Sequence, residues 1–199
     1  MKRVTLALVL TTTAGLLFVL PRSAIRAADA PKKVTVGEAA PDFELKDVYG
    51  KSFRLGDFKG KVVVLEWINQ ACPVSRGKHD DGVMQKSYKR YASRGVIWLA
   101  VDSTNGRKPE ENRVYAAEQG LAYPILDDSE GKVGHAFGAR TTPHMFVVDK
   151  NGTLVYDGAI DDKTDKKNYV TAAVEDLLAN RPVKDAKTTP YGCSVKYKR

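Results

Sequence analysis

The segment Lys61-Val-Val-Val-Leu-Glu-Trp-Ile68 constrains this chain more than any other. Its apolar side chains fall on both alternating sets of positions, so a strand built from it needs cover on both faces. Such a strand belongs to a layered domain, with helices packed above and below a sheet. One carboxylate, Glu66, sits inside the run, and Cys72-Pro73-Val74-Ser75 follows four residues after its end. Proline is favoured in the first turn of a helix. The buried strand is therefore expected to lead into a helix with Cys72 at its start.

The remaining elements follow from periodicity and turn chemistry. Phe43 and Leu45, then Phe53 and Leu55, alternate with polar residues around Val48-Tyr-Gly-Lys51, a β-hairpin pattern. Met84, Tyr88 and Tyr91 form a helical stripe, with Asp80-Asp81-Gly82 interrupting or bending the helix and Gly95 ending it. Val96–Val101 reads as a second buried strand, Pro109–Gly120 as a helix, Tyr123–Leu126 as a short strand and 131–138 as a short helix. Met145–Val148 and Thr153–Tyr156 flank an Asn151-Gly152 turn, a second hairpin. Val170, Val174, Leu177 and Leu178 mark a last amphipathic helix. Beyond Asn180 the chain becomes a polar, flexible-looking tail that carries Cys193. The expected class is α/β, with a mixed central sheet, since a hairpin cannot join a purely parallel one.

The first residues differ from the rest. Lys2 and Arg3 precede the apolar run Val4–Leu20, and small residues follow up to Ala27. That is the three-part pattern of a secretory signal peptide over residues 1–27. An uncleaved anchor is the competing reading, but a run of 17 residues, diluted by threonines, lies at the short edge for spanning a bilayer. The expected organisation is a leader over 1–27, a domain over 31–180 and a tail over 181–199. Removing the leader takes four basic residues and no acids, lowering the net charge from +8 to +4. This modest charge, scattered along the chain, gives no footprint for nucleic acid. Export places Cys72 and Cys193 in an oxidising compartment.

A thiol at a strand-to-helix junction faces free backbone N–H groups and the positive end of the helix dipole. Both favour the thiolate, the reactive form. Cys72 is therefore expected to be ionised and reachable, rather than an inert core cysteine.

These residues resemble the thioredoxin superfamily, and more narrowly its exported redoxin (AhpC/TSA, peroxiredoxin-like) branch, over roughly residues 36–180. Three features carry the resemblance: Glu66 six residues before Cys72, Thr141-Thr142-Pro143 just before a strand, and the order of elements with an added N-terminal hairpin. The resemblance implies a thioredoxin-like fold and a thiol oxidoreductase acting through Cys72 on disulfides or oxidised thiols, with an external thiol reductant. It implies that Glu66 transfers protons, that Pro143 is cis and packs against Cys72, and that Thr142 and Pro143 hold an extended partner chain. Pro73 belongs to the same binding site.

The departures bear on mechanism. The position of the usual second cysteine is Ser75, which can donate a hydrogen bond but cannot form a disulfide. Cys193, 121 residues after Cys72, is the candidate resolving thiol; a structural disulfide or a contact between subunits is its alternative use. Peroxiredoxins place a hydroxyl residue three before their cysteine, where this chain has Asn69, so a peroxide-reducing activity is the alternative rather than the leading reading. A metal chaperone or redox-inactive binding module on the same fold is a further alternative. No cofactor motif and no close metal-ligand spacing appears. His79, His135 and His144 read as ordinary surface or loop histidines, although His144 after Pro143 could tune Cys72.

Overall fold

The computed structural model describes residues 33–164 and 166–198; the leader expected over 1–27 lies outside the described residues. Leu45 and Phe53 pair across an antiparallel hairpin of β1 (Glu44–Lys46) and β2 (Ser52–Arg54). A single 3-10 turn at Leu55–Phe58 leads to β3 (Val63–Trp67), buried along its whole length. Two helices follow, α1 (Pro73–Asp80) and α2 (Val83–Ala92). Gly82 separates them at φ 70°, a left-handed conformation that carries no Cβ penalty in glycine. Then come β4 (Ile97–Asp102), α3 (Pro109–Glu118), β5 (Ile125–Asp127) and α4 (Lys132–Phe137). The chain ends through β6 (Thr141–Thr142), β7 (His144–Val148), β8 (Leu154–Gly158), α5 (Tyr169–Leu178) and β9 (Cys193–Ser194).

The central sheet has the order β5-β4-β3-β7-β8. β3, β4 and β5 are parallel, whereas β7 runs antiparallel to β3 and β8 antiparallel to β7. The sheet is thus mixed and flanked by helices, with the N-terminal hairpin added, as the sequence predicts.

Alternation along β3 divides the core. Val63, Leu65 and Trp67 face one layer, where Phe43, Leu55, Val133, Phe137 and Phe146 pack. Val64 and Ile68 face the other, with Met84, Tyr91, Trp98, Tyr115, Val170 and Val174. The period of two places Glu66 on this second face, between Val64 and Ile68 and beneath the helices. Trp67 and Trp98 are core residues. Among the described residues no helix is long and apolar enough to cross a membrane.

The tail departs from its loose appearance in the sequence. Lys187 forms a parallel bridge with Asp157, and β9 pairs antiparallel with β6. A two-residue polar strand carries no periodic signal, so its pairing could not be read from the sequence.

Candidate active site

Cys72 is the N-cap residue of α1, in extended conformation, with Pro73 in the first helical turn. The Asn69 side chain shapes the approach by accepting from the Ala71 N–H at 2.8 Å, and the Cys72 N–H donates to the Asn69 carbonyl at 2.9 Å. Arg107 reaches the Asn69 side-chain oxygen at 3.4 Å and lies 3.6 Å from Asp102, a buried acid that accepts from Asn112 at 3.0 Å. The loop carrying the cysteine is thus pinned to the ends of β4 and α3.

The cysteine sulfur lies between the Thr-Pro loop and the tail. The Thr142–Pro143 bond is cis. In the thiol form Cys72 Sγ donates to the Thr142 carbonyl at 3.0 Å, and the Cys193 N–H points at the same sulfur from 3.4 Å. Thr142 and Cys193 are register partners in the β6–β9 pair. Four of the residues singled out in the sequence, Cys72, Thr142, Pro143 and Cys193, therefore meet at one point.

Burial pushes the Cys72 thiol up, but hydrogen bonds from the Cys193 thiol, Thr142 and the backbone N–H groups of Ser75 and Cys193 outweigh it, and the net direction is down. Cys193 moves the opposite way, raised by its hydrogen bond to Cys72, by burial and by the Cys72 charge. The two thiols, both unlinked, thus share one preference: the negative charge sits on Cys72. Deprotonation gives up the bond to the Thr142 carbonyl and leaves the donors in place.

Two expectations need correction. Cys72 is only 1% exposed, not open to solvent. Ser75 is fully buried and its hydroxyl accepts from the Asn69 N–H at 3.4 Å; Ser75 favours the Cys72 thiolate through its backbone N–H instead.

Glu66 joins a neighbouring buried cluster. Its Oε1 lies 3.0 Å from His79 Nε2, and its Oε2 accepts from Trp98 Nε1 at 2.9 Å and the Tyr123 hydroxyl at 3.1 Å. His79 Nδ1 contacts the Ser75 carbonyl and the Tyr115 hydroxyl, each at 3.0 Å. Burial raises the Tyr115 hydroxyl, and the charges of both Glu66 and Cys72 add to this, so Tyr115 lies within electrostatic reach of both clusters.

His79 and His144 are not surface histidines. Both are 1% exposed. His79 stands seven residues after Cys72 on the inner face of α1, a helical spacing that could have flagged it. His144 turns away from the thiols: Nδ1 accepts from the Arg140 N–H at 3.1 Å and Nε2 meets Asp157 Oδ1 at 2.7 Å. Both of its ring nitrogens are occupied within the fold. His135 is exposed, as expected, and stacks on Tyr197 with centroids 4.0 Å apart. Among the described residues no group of three or more His, Cys, Asp or Glu is placed to hold a metal ion.

Comparison with known proteins agrees with this geometry. The thiol-disulfide oxidoreductase ResA of Geobacillus thermodenitrificans (strain NG80-2) is 39% identical over 123 residues, covering 61% of this chain and 67% of its own length. The thioredoxin-like protein YneN of Bacillus subtilis (strain 168) is 32% identical over 119 residues, 59% of this chain and 68% of its own. A crystal structure of a hypothetical protein from Sinorhizobium meliloti 1021 superposes with a TM-score of 0.76 at 27% identity, covering 84% of this chain and 97% of the other. The thioredoxin domain of a thiol-disulfide oxidoreductase from Bacteroides vulgatus shares the fold, with a TM-score of 0.55 at 24% identity over 63% of this chain and 89% of its own. The family model of the AhpC/TSA family matches residues 36–157, a span that holds β3, Cys72 and the cis-proline. With its mixed sheet, its cysteine at a helix start and its Thr-Pro loop, the chain belongs to the AhpC/TSA family, on a thioredoxin-like fold.

Proposed function

We propose that this protein is an exported thiol–disulfide oxidoreductase in which Cys72 is the nucleophile and Cys193 the resolving thiol. One observation carries the reading: the Cys193 strand is paired beside the Cys72 sulfur, and Cys72 is the thiol of lowered pKa. The names of the relatives point the same way.

The Cys72 thiolate attacks one sulfur of a partner disulfide. That S–S bond breaks, the second partner sulfur leaves as a thiolate and takes up a proton, and a Cys72–partner disulfide forms. The Cys193 thiol gives up its proton and attacks the Cys72 sulfur; the remaining partner sulfur is released as a thiol. The partner has then gained two electrons, and the chain holds a Cys72–Cys193 disulfide. An external dithiol returns it to the reduced form; with a more oxidising partner the same steps run backwards. Thr142 and Pro143 position the attacked chain, Pro73 starts the helix that favours the thiolate, Ser75 adds its backbone N–H, and Glu66 serves as the nearby proton store.

Peroxide draws less support as a substrate. Asn69 stands where peroxiredoxins place a hydroxyl residue, three before the cysteine, and its side chain is bound to the Ala71 N–H.

Reduction of a model protein disulfide, driven by dithiothreitol, tests the reading. Cys72→Ser is expected to abolish the catalysed rate, and Cys193→Ala to accumulate a Cys72–partner adduct, visible by mass under non-reducing conditions. Undiminished catalysis by Cys72→Ser refutes it. Export to the periplasm or cell envelope rests on residues 1–27, and N-terminal sequencing of the mature protein is expected to begin at Ala28.

A further inference from the structure

We infer that residues 191–197 are a docked strap that occupies the partner-strand position beside the Thr-Pro loop, so that Cys72 is closed to an extended partner until this segment leaves. The identity of the displaced partner rests on the oxidoreductase reading; the strap itself does not.

The strap is fastened along its length. Tyr191 donates to Asp161, which also pairs with Lys78 of α1 at 2.6 Å. Val195 N–H donates to the Arg140 carbonyl at 3.0 Å, and the Lys196 carbonyl accepts from the Asn105 N–H at 2.8 Å. The Tyr197 ring lies over α4, stacked on His135, and its hydroxyl donates to the Ala139 carbonyl at 2.8 Å. That socket exists because α4 offers glycine there: a Cβ at Gly131 would come within 2.7 Å of the Tyr197 ring, and one at Gly134 within 2.5 Å of its hydroxyl.

Gly192 makes the approach to the site possible. It sits at φ 124°, where side chains are rarely tolerated. A Cβ there would collide with the Thr142 carbonyl oxygen and lie 2.9 Å from its carbon. With no side chain at this point, the tail backbone reaches the Thr142 backbone and the Cys193 N–H reaches the Cys72 sulfur. The strap thus takes up the β6 hydrogen-bonding edge that an extended partner would use.

The strap explains the buried nucleophile. Its fastenings are a handful of hydrogen bonds and one stacked ring, with β9 only two residues long. A segment of that kind opens locally at a fraction of the global unfolding free energy. A partner strand displaces it by offering the same backbone hydrogen bonds.

Gly192→Val tests the strap through alkylation of Cys72, mapped by mass, with iodoacetamide and with a 5-kDa polyethylene glycol maleimide. No turnover is involved, so the result stands apart from the oxidoreductase reading. Opening the strap is expected to raise the Cys72 rate with the bulky maleimide about tenfold or more, with a smaller rise for iodoacetamide, and to speed exchange of the Val195 amide in parallel. Tyr197→Ala, which keeps Gly192, is expected to move both readouts the same way. The wild-type Val195 amide is expected to be protected; exchange at the free-chain rate in the folded wild type overturns the inference. Unchanged Cys72 alkylation in a folded Gly192→Val or Tyr197→Ala protein overturns it as well.

Discussion

Glu66 Oε1 and His79 Nε2 stand 3.0 Å apart with neither side chain exposed to solvent. The Ser75 carbonyl can only accept, so the His79 Nδ1 that faces it carries a hydrogen. The Glu66 charge beside Nε2 favours a proton there as well. Trp98 and Tyr123 both donate to the other Glu66 oxygen. The pKa direction agrees: burial pushes His79 down, but the Glu66 charge and hydrogen bond outweigh it and hold the imidazole above its ordinary value. The pair lies one helix turn behind Ser75, the residue that replaces the usual second cysteine.

Removing one member of the pair is expected to be costly. His79→Ala leaves the Glu66 charge buried without its counter-ion, a change that costs about 3–5 kcal/mol in comparable pairs. Urea unfolding followed by circular dichroism measures it. A loss below about 1 kcal/mol would mean that the pair contributes no more than a surface contact does.

Glu66→Gln keeps the size of the side chain and removes its proton chemistry. Disulfide exchange is expected to slow by about 100-fold, the lower end of what a positioned acid–base group supplies. Alkylation of Cys72 by iodoacetamide in the same variant is expected to change far less, because it transfers no proton to a leaving sulfur. Stopped-flow exchange and alkylation on one preparation separate the two effects. Equal slowing of both would assign Glu66 to the thiolate electrostatics instead.

The two thiols are expected to titrate apart. Alkylation rate against pH should give a Cys72 midpoint below the ordinary cysteine value of about 8.5 and a Cys193 midpoint above it. Cys193→Ala removes one donor from the Cys72 sulfur and is expected to raise the Cys72 midpoint while keeping the Cys193 position's backbone N–H. Mass mapping at each pH resolves the two sites.

The central architecture was legible because it rests on patterns of period two and 3.6. The double-parity run at Lys61–Ile68 required a strand covered on both faces, and Gly82, Gly95 and Gly120 marked the helix breaks. Cys72 and the Thr-Pro loop were found by type and order. The features without a local signature depend on long-range contact. The spacing of His79 from Cys72 marks a shared helix face but not its partner, which comes from β3, thirteen residues back. The docking of the tail is illegible for a similar reason. Gly192, Tyr191 and Tyr197 look like polar-tail composition until Thr142, Asp161 and α4 are placed opposite them.

The two buried histidines are expected to shape stability against pH with opposite signs. His144 accepts from the Arg140 N–H and donates to Asp157, so it is held neutral. Burial lowers it, and the hydrogen bond and charge of Asp157 recover only part of the shift. Below the unfolded value of about 6.5, the unfolded chain binds a proton that the folded one refuses, so stability drains as pH falls toward the folded pKa. His79 is raised; its contribution is complete below about 6.5 and is lost as pH rises through its folded pKa. His144→Gln should therefore flatten the acid limb of the stability profile relative to wild type, and His79→Gln the limb above neutrality. Midpoints of urea unfolding between pH 5 and pH 8, compared as differences from wild type, cancel the contributions of the thiols and carboxylates common to all three proteins. A His144→Gln profile parallel to wild type on the acid side would show that His144 takes up its proton without disturbing the Arg140 and Asp157 contacts.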